Sequence, residues 1–332
     1  MRSISTISLA FASLVTAIML AAGPLAPAFA DGKMDRITQS RALTHHMMGF
    51  IYDLYGLTPQ AADQFEITAK FDPKSYLTRL RLGSDYARLG NFNQALNHLV
   101  LVPVLNPEDL QSHYLLALIY STQKKIDKAA GEYEKILKSL SSADPKNTEV
   151  HFYLGQLYYS QRQYDQAIPQ FEKILVIEPE NTEMMYLLGS LYVEVNRRDK
   201  AIEILKRAMT IEPQNDGILN SLAYIYAEAG NHLDEALDLI NRALMIDSEN
   251  PAYLDSLGWV YFKKGHYAEA LKALIKADAL AQDPTIYDHL GDVYLALKQE
   301  TEAKKCWHKS FDLDPSQKDI LEKIARLEKN QP

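Results

Sequence analysis

Residues 148–181 read TEVHFYLGQLYYSQRQYDQAIPQFEKILVIEPEN, and residues 182–215 read TEMMYLLGSLYVEVNRRDKAIEILKRAMTIEPQN. Laid one over the other without a gap, they match Leu154 with Leu188, Gly155 with Gly189, Tyr158 with Tyr192, Ala167 with Ala201 and Pro179 with Pro213. Each string carries two stretches of apolar residues at helical spacing. In the first string these are Phe152, Leu154 and Tyr158, then Ile168, Phe171, Ile174 and Leu175. Such spacing puts the apolar residues on one face, so each string predicts two amphipathic helices. The closing Pro stops the second helix because it has no N–H to donate and its ring blocks the preceding turn.

The same unit extends in both directions. Its Tyr recurs as Tyr52, Tyr86, Tyr120, Tyr158, Tyr192, Tyr226, Tyr261 and Tyr294, at spacings of 34, 34, 38, 34, 34, 35 and 33. Three residues before each stands Gly49, Gly83, Ala117, Gly155, Gly189, Ala223, Gly258 or Gly291. Nine or ten residues after each stands an Ala, from Ala61 to Ala303. Small residues on both helices allow close approach, and enlarging one costs about 1–3 kcal/mol. Gly or Asn often ends the first stretch, as at Gly56, Gly90, Asn196, Gly230 and Gly265. The repeated Tyr can pack its ring between helices and hydrogen-bond through its hydroxyl. One helix pair cannot bury its own apolar face, whereas stacked pairs share a continuous core.

The pattern L-G-x-x-Y, then Ala, then Pro, over 34 residues resembles the tetratricopeptide repeat. The resemblance covers 42–317. It implies an all-α fold: a right-handed α-solenoid of about eight tetratricopeptide helix-turn-helix repeats with a C-terminal capping helix. The units run 42–75, 76–109, 110–147, 148–181, 182–215, 216–250, 251–283 and 284–317. Departures are a four-residue insertion near 139–143, one extra residue near 231–233, one deletion near Gln282, and Ser248 where Pro is usual. A short polar lead occupies 31–41. In the capping helix, 318–332, Ile320, Leu321, Ile324 and Leu327 form an apolar stripe. Lys318, Glu322, Lys323, Arg326, Glu328 and Lys329 are expected to face water.

Residues 1–30 have a different character. They hold one charge, Arg2, then an apolar run from Ile4 to Ala22, then Gly23, Pro24 and Pro27 and the small-residue site Ala28-Phe29-Ala30. That order reads as a secretory signal peptide cleaved after Ala30, which predicts an exported, periplasmic protein with no stable membrane span after cleavage. The alternative is an uncleaved N-terminal membrane anchor.

Composition narrows the function further. A formal charge of −8 on 332 residues argues against a phosphate-neutralising surface, hence no nucleic acid partner. One Cys, Cys306, excludes a disulfide framework and a Cys-based zinc site. His45 and His46 beside Met47 and Met48 suggest copper chemistry. However, His45, His113 and His151 share the fourth place of their units with Arg79, Met185, Leu219, Leu254 and Tyr287, so the place reads as a packing slot. No G-x-S-x-G, phosphate-binding loop, H-E-x-x-H or dinucleotide fingerprint is present. The expectation is therefore a non-enzyme with no catalytic residue, cofactor or metal.

The resemblance implies that unit positions 2, 5, 9, 12 and 13 line a partner-binding groove. Carried onto this chain, they give Phe50, Tyr114, Phe152, Tyr159, Tyr186, Asn220, Tyr224, Glu228, Trp259, Phe262, Lys263 and Asp292. Aromatics among acids suit a protein or peptide with apolar and basic side chains. The expected role is a scaffold or adaptor in the bacterial cell envelope, assembling an envelope, secretion or polymer-export complex. The alternatives are an accessory subunit that binds cell-wall polysaccharide through the aromatic groove, and a self-assembling scaffold, since self-association is compatible with the fold. The Asn and basic residues that hold a C-terminal carboxylate in some repeat proteins are replaced here by Leu43, His46, Phe50, Arg81 and Ser84, so that clamp is not expected.

Overall fold

The computed structural model describes residues 35–329; the address expected at 1–30 lies outside the described residues. All described secondary structure is helical, in consecutive helix-turn-helix pairs. The chain divides into two compact units, up to Gln170 and from Phe171 onward.

The first unit holds α1 (Arg36–Leu54), α2 (Thr58–Phe71), α3 (Tyr76–Arg88), α4 (Phe92–Leu99), α5 (Val102–Leu105), α6 (Gln111–Thr122), α7 (Ile126–Ala143) and α8 (Thr148–Ser160). The boundary falls inside α9 (Tyr164–Ile177). The second unit continues with α10 (Thr182–Glu194), α11 (Arg198–Ile211), α12 (Asp216–Ala229), α13 (Leu233–Ile246), α14 (Pro251–Lys263), α15 (Tyr267–Leu280), α16 (Pro284–Ala296), α17 (Glu300–Leu313) and α18 (Lys318–Lys329). In each hairpin the first helix is termed A and the second B. The second hairpin's B helix is broken into α4 and α5. Pro103 explains this, because it offers no N–H to the carbonyl of Leu99.

Local chemistry sets the helix ends. Asn147, Asn181 and Asn215 cap α8, α10 and α12 by accepting from the N–H groups of Val150, Met184 and Ile218. Asn181 and Asn215 also donate to Glu178 and Glu212, both at 2.7 Å, which ties each cap to the preceding turn. The turn from A to B passes through a left-handed residue in every hairpin, and the sixth adds a second, His232. Gly takes the place at four hairpins and Asn196 at one, but Lys124, Arg162 and Lys298 hold φ of 57°, 58° and 62° at the other three. A side chain there costs roughly 1–2 kcal/mol, so tertiary packing overrides local preference.

Each core joint involves the next hairpin. Ala61, Phe65 and Ala69 of α2 pack with Leu82 of α3; Leu274 and Ala277 of α15 pack with Ile286, Leu290 and Val293 of α16. Small residues on helix A seat the large residue of helix B. A Cβ added to Gly189 lies 2.8 Å from Leu205, and one on Gly83 lies 2.3 Å from Leu99. The repeated Tyr links neighbours: Tyr86 donates to Glu66 at 3.0 Å, Tyr158 to Glu134 at 3.0 Å and Tyr192 to Glu172 at 2.6 Å. The fourth-place histidines reach across their own hairpin: His45 meets Gln64 at 2.8 Å, His113 meets Glu132 at 2.5 Å and His151 meets Gln170 at 3.0 Å. The slot is thus polar in the first unit, filled by a hydrogen-bonded pair.

The capping helix departs from expectation at two residues. Ile320, Ile324 and Leu327 bury against Ala303 and Trp307, but Leu321 is exposed. Lys323, expected in water, is half-buried between two aspartates of α16.

Candidate functional site

In the second unit the A helices α10, α12 and α14 lie side by side, and α16 continues the row. Their groove positions form one face. Tyr186 of α10, the most exposed aromatic of the expected set at 39%, touches the space over Gly217, where an added Cβ would lie 3.5 Å from its ring. Asn220 and Tyr224 follow on the same side of α12, one helical turn apart. The side-chain oxygen of Asn220 is buried and has no hydrogen-bond partner. Burial, then the charges of Glu228, Asp255 and Asp288, push the Tyr224 phenol well up, so it stays protonated.

Trp259 is the hub of this face, but it is a buried floor rather than an exposed contact, at 7% exposure. Its ring stacks on Phe262 at 4.8 Å and on His289 at 4.0 Å between centroids. The Lys263 ammonium lies 4.6 Å from its centroid, and its indole N–H donates to Glu228. Three of the expected residues, Glu228, Phe262 and Lys263, are therefore gathered around the fourth.

The acids of the face are largely matched from within. His289 Nδ1 lies 2.8 Å from Asp255. Burial works against the charged imidazolium, but Asp255, Asp288 and Asp292 outweigh it and leave the His289 pKa above its ordinary value. Lys323 donates to Asp288 at 2.6 Å and to Asp292 at 2.8 Å, and the Trp307 indole donates to Asp292 at 3.2 Å. Burial raises the Asp292 pKa despite Lys323.

His289 and Lys323 were not among the expected groove residues. Each stands at the sixth place of its helix, counting α16 from Pro284 and α18 from Lys318. From there each reaches back to the fifth and ninth places of the preceding A helix: His289 to Asp255 and Trp259, Lys323 to Asp288 and Asp292. Arg81 of α3 does the same, lying 5.5 Å over the ring of Phe50. A basic residue at place six facing an acid or ring at place nine, and at place five in two of the three cases, thus recurs, and its spacing of about one repeat is visible in the sequence once the register is known.

The first unit's members are more scattered. Besides Phe50, Tyr114 is half-buried on α6, Phe152 lies edge-on to Tyr153 at 6.0 Å, and Tyr159 packs on Tyr164 at 5.6 Å. Among the described residues no group of three or more His, Cys, Asp or Glu is placed to hold a metal, and no helix is long and apolar enough to cross a membrane. Burial pushes the Cys306 thiol up to about 11, which keeps it protonated.

Stacked hairpins with a shared face of A-helix side chains define a helical-repeat protein. Three family models, each described as tetratricopeptide repeat, match residues 159–208 and 196–260, 80–148, and 252–284 and 284–317. Together they span well over half of the chain, which belongs to the tetratricopeptide-repeat family. Solved structures of similar fold include a tetratricopeptide repeat protein from Parabacteroides merdae ATCC 43184. It is 18% identical with a TM-score of 0.54, over 77% of this chain and 99% of that one. Another is a chain of the APC/C hetero-tetramer Cut9-Hcn1, at 18% identity and a TM-score of 0.51, over 81% of this chain and 52% of that one. At such identities the likeness shows the fold alone. No curated protein matches the chain. Proteins of this family are generally non-catalytic scaffolds for protein interaction, and no enzymatic family is indicated.

Proposed function

We propose that the chain is an exported, periplasmic adaptor that holds a protein or peptide along the A-helix face of α10, α12 and α14 and so assembles a cell-envelope complex. The observation that carries this reading is Asn220. Its unpartnered side-chain oxygen sits one turn from Tyr224, on the helix that Tyr186 overlies. A buried acceptor left without a donor costs about 1–3 kcal/mol, and a peptide N–H laid across it removes that cost. Exposed Tyr186 supplies an apolar contact beside it, and exposed Glu183, one turn earlier on α10, favours a basic side chain in the partner. The matched acids around Trp259 mean that charge alone does not recruit; a partner lysine there competes with Lys323.

A display library of extended peptides panned against the purified protein tests the reading. Enriched peptides with apolar and Lys or Arg residues, whose binding falls at least about tenfold in Asn220→Leu, support it. Peptides that bind Asn220→Leu and Tyr186→Ala as tightly as the parent overturn it. Binding of insoluble peptidoglycan in place of any peptide favours the polysaccharide alternative.

A further inference from the structure

A cavity of about 530 Å³ opens in the first unit between the third and fourth hairpins, against α7 and α8. The side chains of α7 account for it. Directly after the buried Ala of helix B, the other hairpins carry Leu96, Ile168, Ile202, Leu237 or Leu271, with Ala62 and Lys304 at the two ends; α7 carries Ala130, followed by Gly131. A Cβ on Gly131 would meet nothing within 4 Å, so no neighbour demands glycine there. Glycine is a poorer helix-interior residue than Ala, because it has more backbone freedom to lose. Four places after the same Ala, every other hairpin buries its side chain almost completely, as with Phe65, Leu205 and Trp307. Tyr133 stands there in α7, only half-buried, on the cavity wall. The helix is also 18 residues long against 14 for α11 and α13, because the four-residue insertion falls in it.

The volume is that of a small-molecule site. The wall is mostly apolar, with the rings of Tyr133 and Tyr153, and its charged members are the carboxylates Asp127 and Glu134. None of the lining residues is Lys, Arg or His. Glu134 is engaged by Lys138 at 2.7 Å and by Tyr158 at 3.0 Å, whereas Asp127 is exposed in the first turn of α7. Gln161, which also lines the cavity, has a buried side-chain oxygen with no hydrogen-bond partner.

We infer that this cavity binds an organic cation with an apolar body, an amine carried on an aromatic or aliphatic group. The body lies against the Tyr133 and Tyr153 rings, and the ammonium N–H groups meet acceptors, Asp127 at the mouth and Gln161 at the wall. The site does not depend on the peptide face described above, since it shares none of that face's residues.

The test is titration of the purified protein with 2-phenylethylamine, followed through the backbone amide resonances of Ala130 and Gly131. Phenylacetate and ethylbenzene serve as the anionic and uncharged matches. Saturable shifts with the amine at millimolar concentration or below, and at least about tenfold weaker binding of both matches, support the inference. Ala130→Leu, which restores the residue type of the other hairpins, is expected to abolish the shifts at unchanged or raised thermal stability. If that variant unfolds, Asp127→Asn tests the same point at an exposed position and is expected to weaken the amine several-fold. No saturable shift at millimolar amine, equal binding of phenylacetate, or undiminished binding in Asp127→Asn would each overturn it.

Discussion

The indole of Trp259 lies on the imidazole of His289 with ring centroids 4.0 Å apart and planes 14° from parallel. The residues come from successive hairpins, so this stack is a joint between repeats as well as the floor of the proposed partner face. Trp259→Ala removes a buried ring and leaves Glu228 and His289 without it. A loss of about 3–5 kcal/mol is expected. Urea unfolding followed by circular dichroism measures it, and a loss below about 1 kcal/mol would show that the joint carries little.

The same joint makes stability depend on pH. The folded pKa of His289 is raised above its ordinary 6.5 by Asp255 and its neighbours, against burial. Its contribution is fully present below the unfolded value and is lost as pH rises through the folded one. In the first unit, burial and then the Asp53 charge push Asp85 up to about 7, against the pull of Arg88. The folded state keeps that proton where the unfolded chain has released it, so stability also falls as pH rises from about 4 to 7. His289→Gln is expected to flatten the fall that begins near 6.5, and Asp85→Asn the fall from about 4 to 7. Urea midpoints measured across this range decide, and unchanged slopes in both variants would refute the assignments.

Tyr86, Tyr158 and Tyr192 each tie their helix to the Glu of the hairpin before. Phe at any one of them keeps the packing and deletes the hydroxyl. The expected cost is about 1 kcal/mol each, read from denaturant midpoints.

The repeat was legible because one unit is written many times, and packing constrains the same positions each time. The period alone places Gly189 and Tyr192 at shared positions of close approach and ring packing; the partners they meet, Leu205 and Glu172, came with the fold. The site was only partly legible. Groove positions taken from the family place Trp259 and Asp292 on the face, yet Trp259 is covered. What covers it, His289, lies one place off those positions, and Lys323 belongs to a helix read only as a cap. Whether an acid is open or matched depends on a side chain one repeat away, which composition does not reveal. The left-handed Lys124 and Arg162 were missed for a similar reason: local preference points to Gly, and the tertiary fold prevails.

Gly189→Leu tests the close helix approach. The added side chain would enter the space held by Leu205, whose atoms lie within 3.2 Å of even a Cβ. Overpacking of this kind is expected to cost about 1–3 kcal/mol or more, while Gly131→Ala, beside the open cavity, is expected to stabilise by up to about 1 kcal/mol. Thermal melts of the two variants moving together would contradict the contrast.

Export is tested separately, by fusing residues 1–35 to a phosphatase that folds only outside the cytoplasm. Activity of the fusion is expected, and inactive fusion retained in the cytoplasm would refute the address.

The central claim is that the face around Asn220 holds a protein partner, and photo-crosslinking in cells tests it most directly. A benzophenone amino acid placed at Tyr186 is expected to give one discrete protein adduct on irradiation, lost when Asn220 is changed to Leu in the same folded chain. No adduct at Tyr186, or an adduct that persists undiminished with Asn220→Leu, would contradict it.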